Sequence, residues 1–281
     1  MSMQLRVVHT TRFAYDGKAV ASYNQARLTP LISPFQILVH HRLEVSPKPW
    51  TYEYRDYFGN AVVAFEVVDP HESMQVTATS TVQVNRPPTP GPTLGWDELT
   101  DPAVADRWVE YLMLPELVAP PQELAVAVKE IAAGAALPGE AALEVCRLVA
   151  GAVSPTTEAT RASSPAHEAW SKRAGAGQDL AHLVIGGLRS VGIPARYVSG
   201  YAHPSPGPAV GETASGGSHA WVEWWDEGWH PYDPTNLIEP GDSYVALAKG
   251  RDYTDVKPLA GIYSGAATST LSVAVEITRL A

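Results

Sequence analysis

In the segment SHAWVEWWDEGWHPYDPTN, residues 218–236, an imidazole and a carboxylate are spaced to meet across a hairpin. Strand alternation sends His219, Trp221, Glu223 and Trp225 to one face and Ala220, Val222 and Trp224 to the other. A tight turn centred near Asp226 then places Asp233 opposite His219, to within one residue of register. A carboxylate beside an imidazole fixes its tautomer and favours its charged form, as a general base requires. Earlier in the chain, GAGQDLAHL reads as the start of a helix whose buried stripe is Leu180, Leu183, Val184 and Leu188. The free N–H groups of such an end favour negative charge and lower a thiol's pKa, so the position suits a nucleophile or an anion. It is held by Ala176 and Gly177, which offer no reactive atom. Gln178 and Asp179 at the helix start are candidates for polar contacts in the same cleft, and Trp221 for its wall.

No other residue type supplies an obvious substitute. The single cysteine, Cys146, allows no internal disulfide and no thiolate metal site. Its helical spacing with Leu143, Val149 and Ala150 makes it a small buried residue. Ser218 points away from the imidazole side of its strand; Ser171 and Ser199 are near the motifs only in sequence. His182 fits a packing role one turn after Asp179. His40, His41 and His230 lack partners at metal-binding spacing, so no metal site and no cofactor is expected. Asp56 and Asn60 around Gly59 read as turn chemistry.

The elements that must carry these residues fall into two parts. The first is β-rich: residues 1–85 alternate in short strands, with turn signals at Asp16-Gly17 and Phe58-Gly59-Asn60, as in an antiparallel sandwich-like domain. Residues 86–100, most of them within the run NRPPTPGPTLG from Asn85 to Gly95, form a Pro/Gly-rich linker. From 101 to 281 helical periods over ELTDPAVADRWVEYLM, PPQELAVAVKEIAAGA and PGEAALEVCRLVAGAV give way to strands after Ile193, running to the C-terminal TSTLSVAVEITRLA. Within this stretch PSPGPAVGETASGGS reads as a flexible loop. The fold class is α+β: an N-terminal antiparallel β domain, then helices packed on an antiparallel sheet.

With 281 residues and 45% hydrophobic content the chain can bury a substantial core. A formal net charge of −10 argues against nucleic acid or an anionic membrane surface as partner. No stretch approaches the roughly 20 apolar residues of a membrane span, and the start of the chain lacks a signal-peptide core. A cytoplasmic protein is the expectation; no pattern specifies an oligomeric state.

The motifs SYNQARLTP, DYFGN, GQDLAHL, LRSVGIPARYVSGY, SHAWVEWW, WHPYDPTN and GRDYTDVKPLAGIYSG resemble those of bacterial transglutaminase-like proteins with a β N-terminal domain and a papain-like core. The resemblance implies a catalytic pattern of Gly-x-Cys-Gln-Asp, then His in a HAW strand, then Asp in DPT. On this chain the His role falls on His219 and the Asp role on Asp233. The cysteine role falls on Gly177. Loss of a catalytic nucleophile costs about four to six powers of ten in rate. Two functions follow: a pseudoenzyme that binds a peptide or protein partner in the former cleft, or an enzyme of altered, non-thiol chemistry using His219 and Asp233 as a general-base pair.

Overall fold

The computed structural model describes residues 2–156, 164–265 and 268–281. The chain opens with six strands: β1 (Met3–Ala19), β2 (Ala21–Ala26), β3 (Gln36–Ser46), β4 (Trp50–Arg55), β5 (Ala61–Val67) and β6 (His71–Val84). Helices follow: α1 (Trp96–Leu99), α2 (Pro102–Arg107), α3 (Gln122–Gly134) and α4 (Pro138–Ala152). The two-residue strands β7 (Ser154–Pro155) and β8 (Ala174–Gly175) flank α5 (Ala166–Lys172), and α6 runs Gly177–Ser190. Then come β9 (Ala195–Ala202), β10 (Thr213–Gly216), β11 (His219–Trp225), β12 (Trp229–Tyr232), β13 (Tyr244–Gly250), α7 (Tyr253–Val256), β14 (Leu259–Ser264) and β15 (Ser269–Arg279).

The N-terminal part is a sandwich, with sheet orders β10-β15-β1-β6-β3 and β14-β2-β5-β4. Leu5, Val7, Val76 and Val82 from the first sheet meet Phe65 and Val67 from the second in one buried core. The inward residues of β6 recur every second position, which is why SMQVTATSTVQV folds as a half-buried strand.

Several sequence expectations need correction here. The C-terminal strands do not belong with residues 101–281: β15 pairs with β1, and β14 pairs with β2, so the chain's end completes the N-terminal sandwich. Part of the expected loop after His203 is strand β10, paired with β15. Asp16-Gly17 is not a hairpin turn; both lie within β1, where the β1–β6 register breaks between Ala14 and Ala19. A bulge absorbs the turn-forming glycine, whose φ is 102°. The single helix expected over residues 98–113 is interrupted, because Pro102 starts a new helix with Asp101 as its cap. The linker 86–100 already contains α1, and its extended part is pinned rather than free: Arg86 N donates to Asp242, and Thr93 N and Leu94 N to Asp226 Oδ1.

The second sheet has the order β12-β11-β9-β13, antiparallel throughout. One face, with Ala220, Val222 and Trp224, packs on α3, α4, α5 and α6 through Leu124, Val145, Trp170 and Leu183. Helix α6 is the centre of that layer, buried from Asp179 to Arg189. Its Gly186 admits the backbone of Val118: a Cβ there would stand 1.7 Å from the Val118 carbonyl oxygen. The outer strand β13 would be an exposed edge, but the N-terminal domain covers it with two amide side chains. Gln36 exchanges bonds with Ala246 N and O at 2.8 and 2.9 Å, and Asn60 with Lys249 N and O at 2.8 Å each. Asn60 is held in turn by Asp56 of the Phe58-Gly59-Asn60 turn. The two parts are thereby joined along a sheet edge.

Candidate active site

The loop before α6 is fixed by β7 and β8, which pair in parallel and hold Ala174 and Gly175 against Ser154 and Pro155. Ala176 is the N-cap of α6 and Gly177 its first helical residue. Asp179 Oδ2 accepts the Ala176 N–H at 2.7 Å, and the residue is 1% exposed. It caps the helix, and the expectation that it contacts substrate is corrected: its carboxylate is used to set the helix start. Gln178 is half-buried beside it.

Strand β11 delivers His219 to the same place. A Cβ built on Gly177 would lie 3.9 Å from His219 Cε1 and 4.0 Å from Nδ1. On its other side the ring donates Nε2–H to Asp233 Oδ2 at 2.6 Å. An ionised carboxylate only accepts, so a neutral His219 keeps its acceptor Nδ1 facing Gly177. Asp233 is wholly buried and heavily used. Its Oδ2 also accepts from Tyr244 Oη at 2.7 Å and Asn236 Nδ2 at 2.8 Å, while Oδ1 accepts Thr235 N at 2.8 Å and Asn236 N at 3.2 Å. Burial alone raises this carboxyl; the bonds from His219, Tyr244 and Asn236 outweigh it and hold it below the ordinary carboxylate range. Burial, then the Asp233 charge, push the Tyr244 phenol up, so it stays a donor.

The contact is not made by direct register. Val222 pairs with Tyr232 and Trp225 with Trp229, so the turn sits one residue later than expected, with Glu227 at φ 55°. Asp233 lies beyond β12, bridged to Ile238, and reaches diagonally back to the imidazole.

Three residues of this site were not singled out by sequence: Tyr244, Asn236 and Thr235, the last two within the DPTN motif itself. Thr235 Oγ1 is buried without a hydrogen-bond partner among the described residues, 3.0 Å from where a Gly177 Cβ would stand. Trp221 lies elsewhere. It is 1% exposed, packed edge-on against Tyr244 at 5.5 Å and beside Val198 and Ala246, where Gly200 leaves room for its ring. It is a support behind the pair and a border of a separate cavity, which corrects its expected place in the cleft wall.

Cys146 is fully buried in the helix-side core, and burial, then the Asp233 charge, push its thiol up. Ser199 is buried on β9, and Ser171 Oγ donates to the His167 carbonyl. The described residues include no cluster of three or more His, Cys, Asp or Glu able to hold a metal, and no helix long and apolar enough to cross a membrane.

Against known proteins, residues 5–83 match the bacterial transglutaminase-like N-terminal region, and residues 126–234 match the transglutaminase-like superfamily core. The chain belongs to the transglutaminase-like superfamily. Bacterial relatives share both parts: an uncharacterised protein of Mycobacterium leprae is 41% identical over 278 residues, 99% of each chain. An uncharacterised protein of Mycobacterium tuberculosis H37Rv is 34% identical over 292 residues, covering 97% of this chain and 91% of its own. Among solved structures, a Cytophaga hutchinsonii protein described provisionally as a cysteine protease superposes with a TM-score of 0.78 at 19% identity, over 100% of this chain and 92% of that one. The fold is thus the papain-like one.

Proposed function

We propose that this transglutaminase-like protein does not carry out thiol acyl transfer, and that the cleft between the start of α6 and His219 binds a peptide or protein segment. One observation supports this most: the helix-start position facing His219 Nδ1 is Gly177, with the Thr235 hydroxyl packed over it. A thioester needs a thiolate at that point. The only thiol in the chain, Cys146, is buried and its deprotonation is disfavoured. The oriented imidazole, the buried carboxylate and the helix N-terminus remain as donors and acceptors for a peptide backbone. The setting we infer for this binding is the cytoplasm.

The test is labelling and turnover. Native protein treated with iodoacetamide at neutral pH should stay unlabelled at Cys146, and a glutamine-containing peptide with an amine acceptor should release no ammonia. The Gly177→Cys variant should become labelled at residue 177 alone, because its thiol would face His219 and a helix N-terminus. Robust ammonia release by the native chain would defeat the reading.

The retained His219–Asp233 contact favours a second reading, in which Nδ1 activates water for hydrolysis. Any hydrolase activity found in the native protein should then disappear in His219→Ala.

A further inference from the structure

A cavity of about 880 Å³ lies on the side of the second sheet away from the helices, closed by the 31–36 segment and the Pro-rich 86–93 segment. Its volume is within the range of small-molecule sites. Phe35, Phe58, Pro88, Trp221, Trp229 and Pro231 give it apolar walls, and His219 and Gly177 are not among its lining residues.

Its charged groups are unequally committed. Glu223, 7% exposed, receives both Arg196 and Lys249: Arg196 Nε donates at 2.7 Å, and Lys249 Nζ stands 3.1 Å from each carboxylate oxygen. Two cations therefore share one carboxylate. The Arg196 guanidinium lies 3.8 Å over the Trp229 ring, so the aromatic wall and the charge are adjacent. Arg86 faces the same space with its guanidinium spent on the Gly241 and Tyr244 carbonyls. The other carboxylates of the lining do not offset this excess. Asp226 gives Oδ1 to the backbone of Thr93 and Leu94, and its Oδ2 points towards Gly139 at the start of α4. Glu227 sits exposed at the hairpin tip, against the Thr93 hydroxyl. Burial lowers the His230 pKa, against the opposite pull of the Glu239 and Asp226 charges. Burial likewise pulls Lys249 and Arg86 down, as expected for cations deprived of solvent.

We propose that this cavity is a second binding site, separate from the Gly177–His219 cleft, for a small organic anion with an apolar or aromatic body, its anionic head meeting Lys249 and Arg196 and its body lying between Trp229, Phe58 and the Pro-rich segment. The reading does not depend on whether the cleft binds a peptide or does chemistry.

The full chain titrated by fluorescence with 1-anilinonaphthalene-8-sulfonate, an aromatic anion, and with N-phenyl-1-naphthylamine, its uncharged counterpart, tests the proposal. The sulfonate should bind tighter, and only its affinity should fall when salt is raised to about 0.5 M. Lys249→Met should weaken the sulfonate about tenfold and leave the neutral probe unchanged. Glu223→Gln should tighten the sulfonate about three- to tenfold, because it removes the carboxylate that now competes for both cations. A loosened fold would bind both probes more strongly, so the gain must appear for the sulfonate and not for the neutral probe. Trp50 and Tyr52 on β4 are exposed and also attract aromatic probes, so Trp229→Ala must remove most of the sulfonate signal and Trp50→Ser must not. Equal affinity for the two probes in the native chain, an unchanged or weaker sulfonate affinity in Glu223→Gln, or signal lost with Trp50 rather than Trp229 would each overturn the proposal.

Discussion

Strand β11 carries two buried polar clusters on one face, four residues apart, and they are built on opposite plans. At His219 the partner carboxylate, Asp233, is the hub: five hydrogen bonds converge on it from His219, Tyr244, Thr235 and Asn236, while the His219 Nδ1 and the Thr235 hydroxyl are turned towards Gly177. At Glu223 the carboxylate is outnumbered by cations, and they border an open cavity. The first cluster spends its interactions on holding one ring in one orientation. The second retains charge that its own residues do not neutralise. An oriented ring facing a glycine and two cations sharing one carboxylate are different kinds of incompleteness, and each asks for a different molecule.

The largest expected difference between them is in stability. Asp233→Ala would leave the buried Tyr244 hydroxyl without an acceptor and release the Asn236 and Thr235 donors, and should cost about 3–5 kcal/mol in urea unfolding. Asp233→Asn, which preserves the shape and two of the acceptor sites, should cost clearly less. An Asp233→Ala variant as stable as the native chain would mean that the cluster positions nothing.

Glu223→Gln should cost less, about 1–2 kcal/mol, although Glu223 is as well buried by side chain as its cations allow. Arg196 and Lys249 keep 13% and 27% side-chain exposure at the cavity, so both retain some contact with water, which the buried Tyr244 hydroxyl does not. The pair of variants measured side by side sharpens the contrast: an equal loss would make Glu223 a structural hub like Asp233 and weaken the case that its cations are available to a ligand.

Much of the cleft was legible in the sequence because it depends on local rules. Period-two alternation placed His219, Trp221 and Glu223 on one face, and a helical period after Gly177 placed a helix N-terminus opposite. The turn's centre fell on Glu227, at φ 55°, one residue later than its residue types suggest, which moves each cross-strand partner by two residues. Asp179 was misread for a related reason: a carboxylate three residues into a helix serves as a cap or as a ligand, and only burial distinguishes the two. What sequence could not supply was long-range pairing. Nothing local in Ser269–Arg279 says that it will lie beside β1, more than 250 residues away, or that Gln36 and Asn60 will cap the edge of β13. The cavity was illegible for the same reason, since its walls come from stretches as far apart as residues 31–36, 58–60, 86–93, 196, 221–231 and 240–249.

Acid titration separates the two clusters from the junction that supports them. His9 joins β1 to β9 through Tyr201 Oη at 2.8 Å, and His182 accepts the Tyr253 N–H inside the helix layer. Burial lowers both to about 4. A folded-state pKa below the unfolded value means that the unfolded chain binds more protons between about 4 and 6.5, so stability should fall as pH drops through that window, by at most about 3 kcal/mol for each ring. Asp233 and Glu223 act later. Burial raises each, but the His219, Tyr244 and Asn236 bonds at one and the Lys249 and Arg196 charges at the other bring both below the ordinary range. Their contribution is complete above the ordinary carboxylate pKa and is lost only as pH falls through the depressed folded values. Unfolding free energy measured from pH 7.5 to 3 should therefore decline first with the histidines, and His9→Gln should flatten that first decline by about half. If His9→Gln instead left the first decline intact and shifted only the loss at lowest pH, the junction would not be the acid-sensitive element. His182 and the two β11 clusters would then have to carry the response.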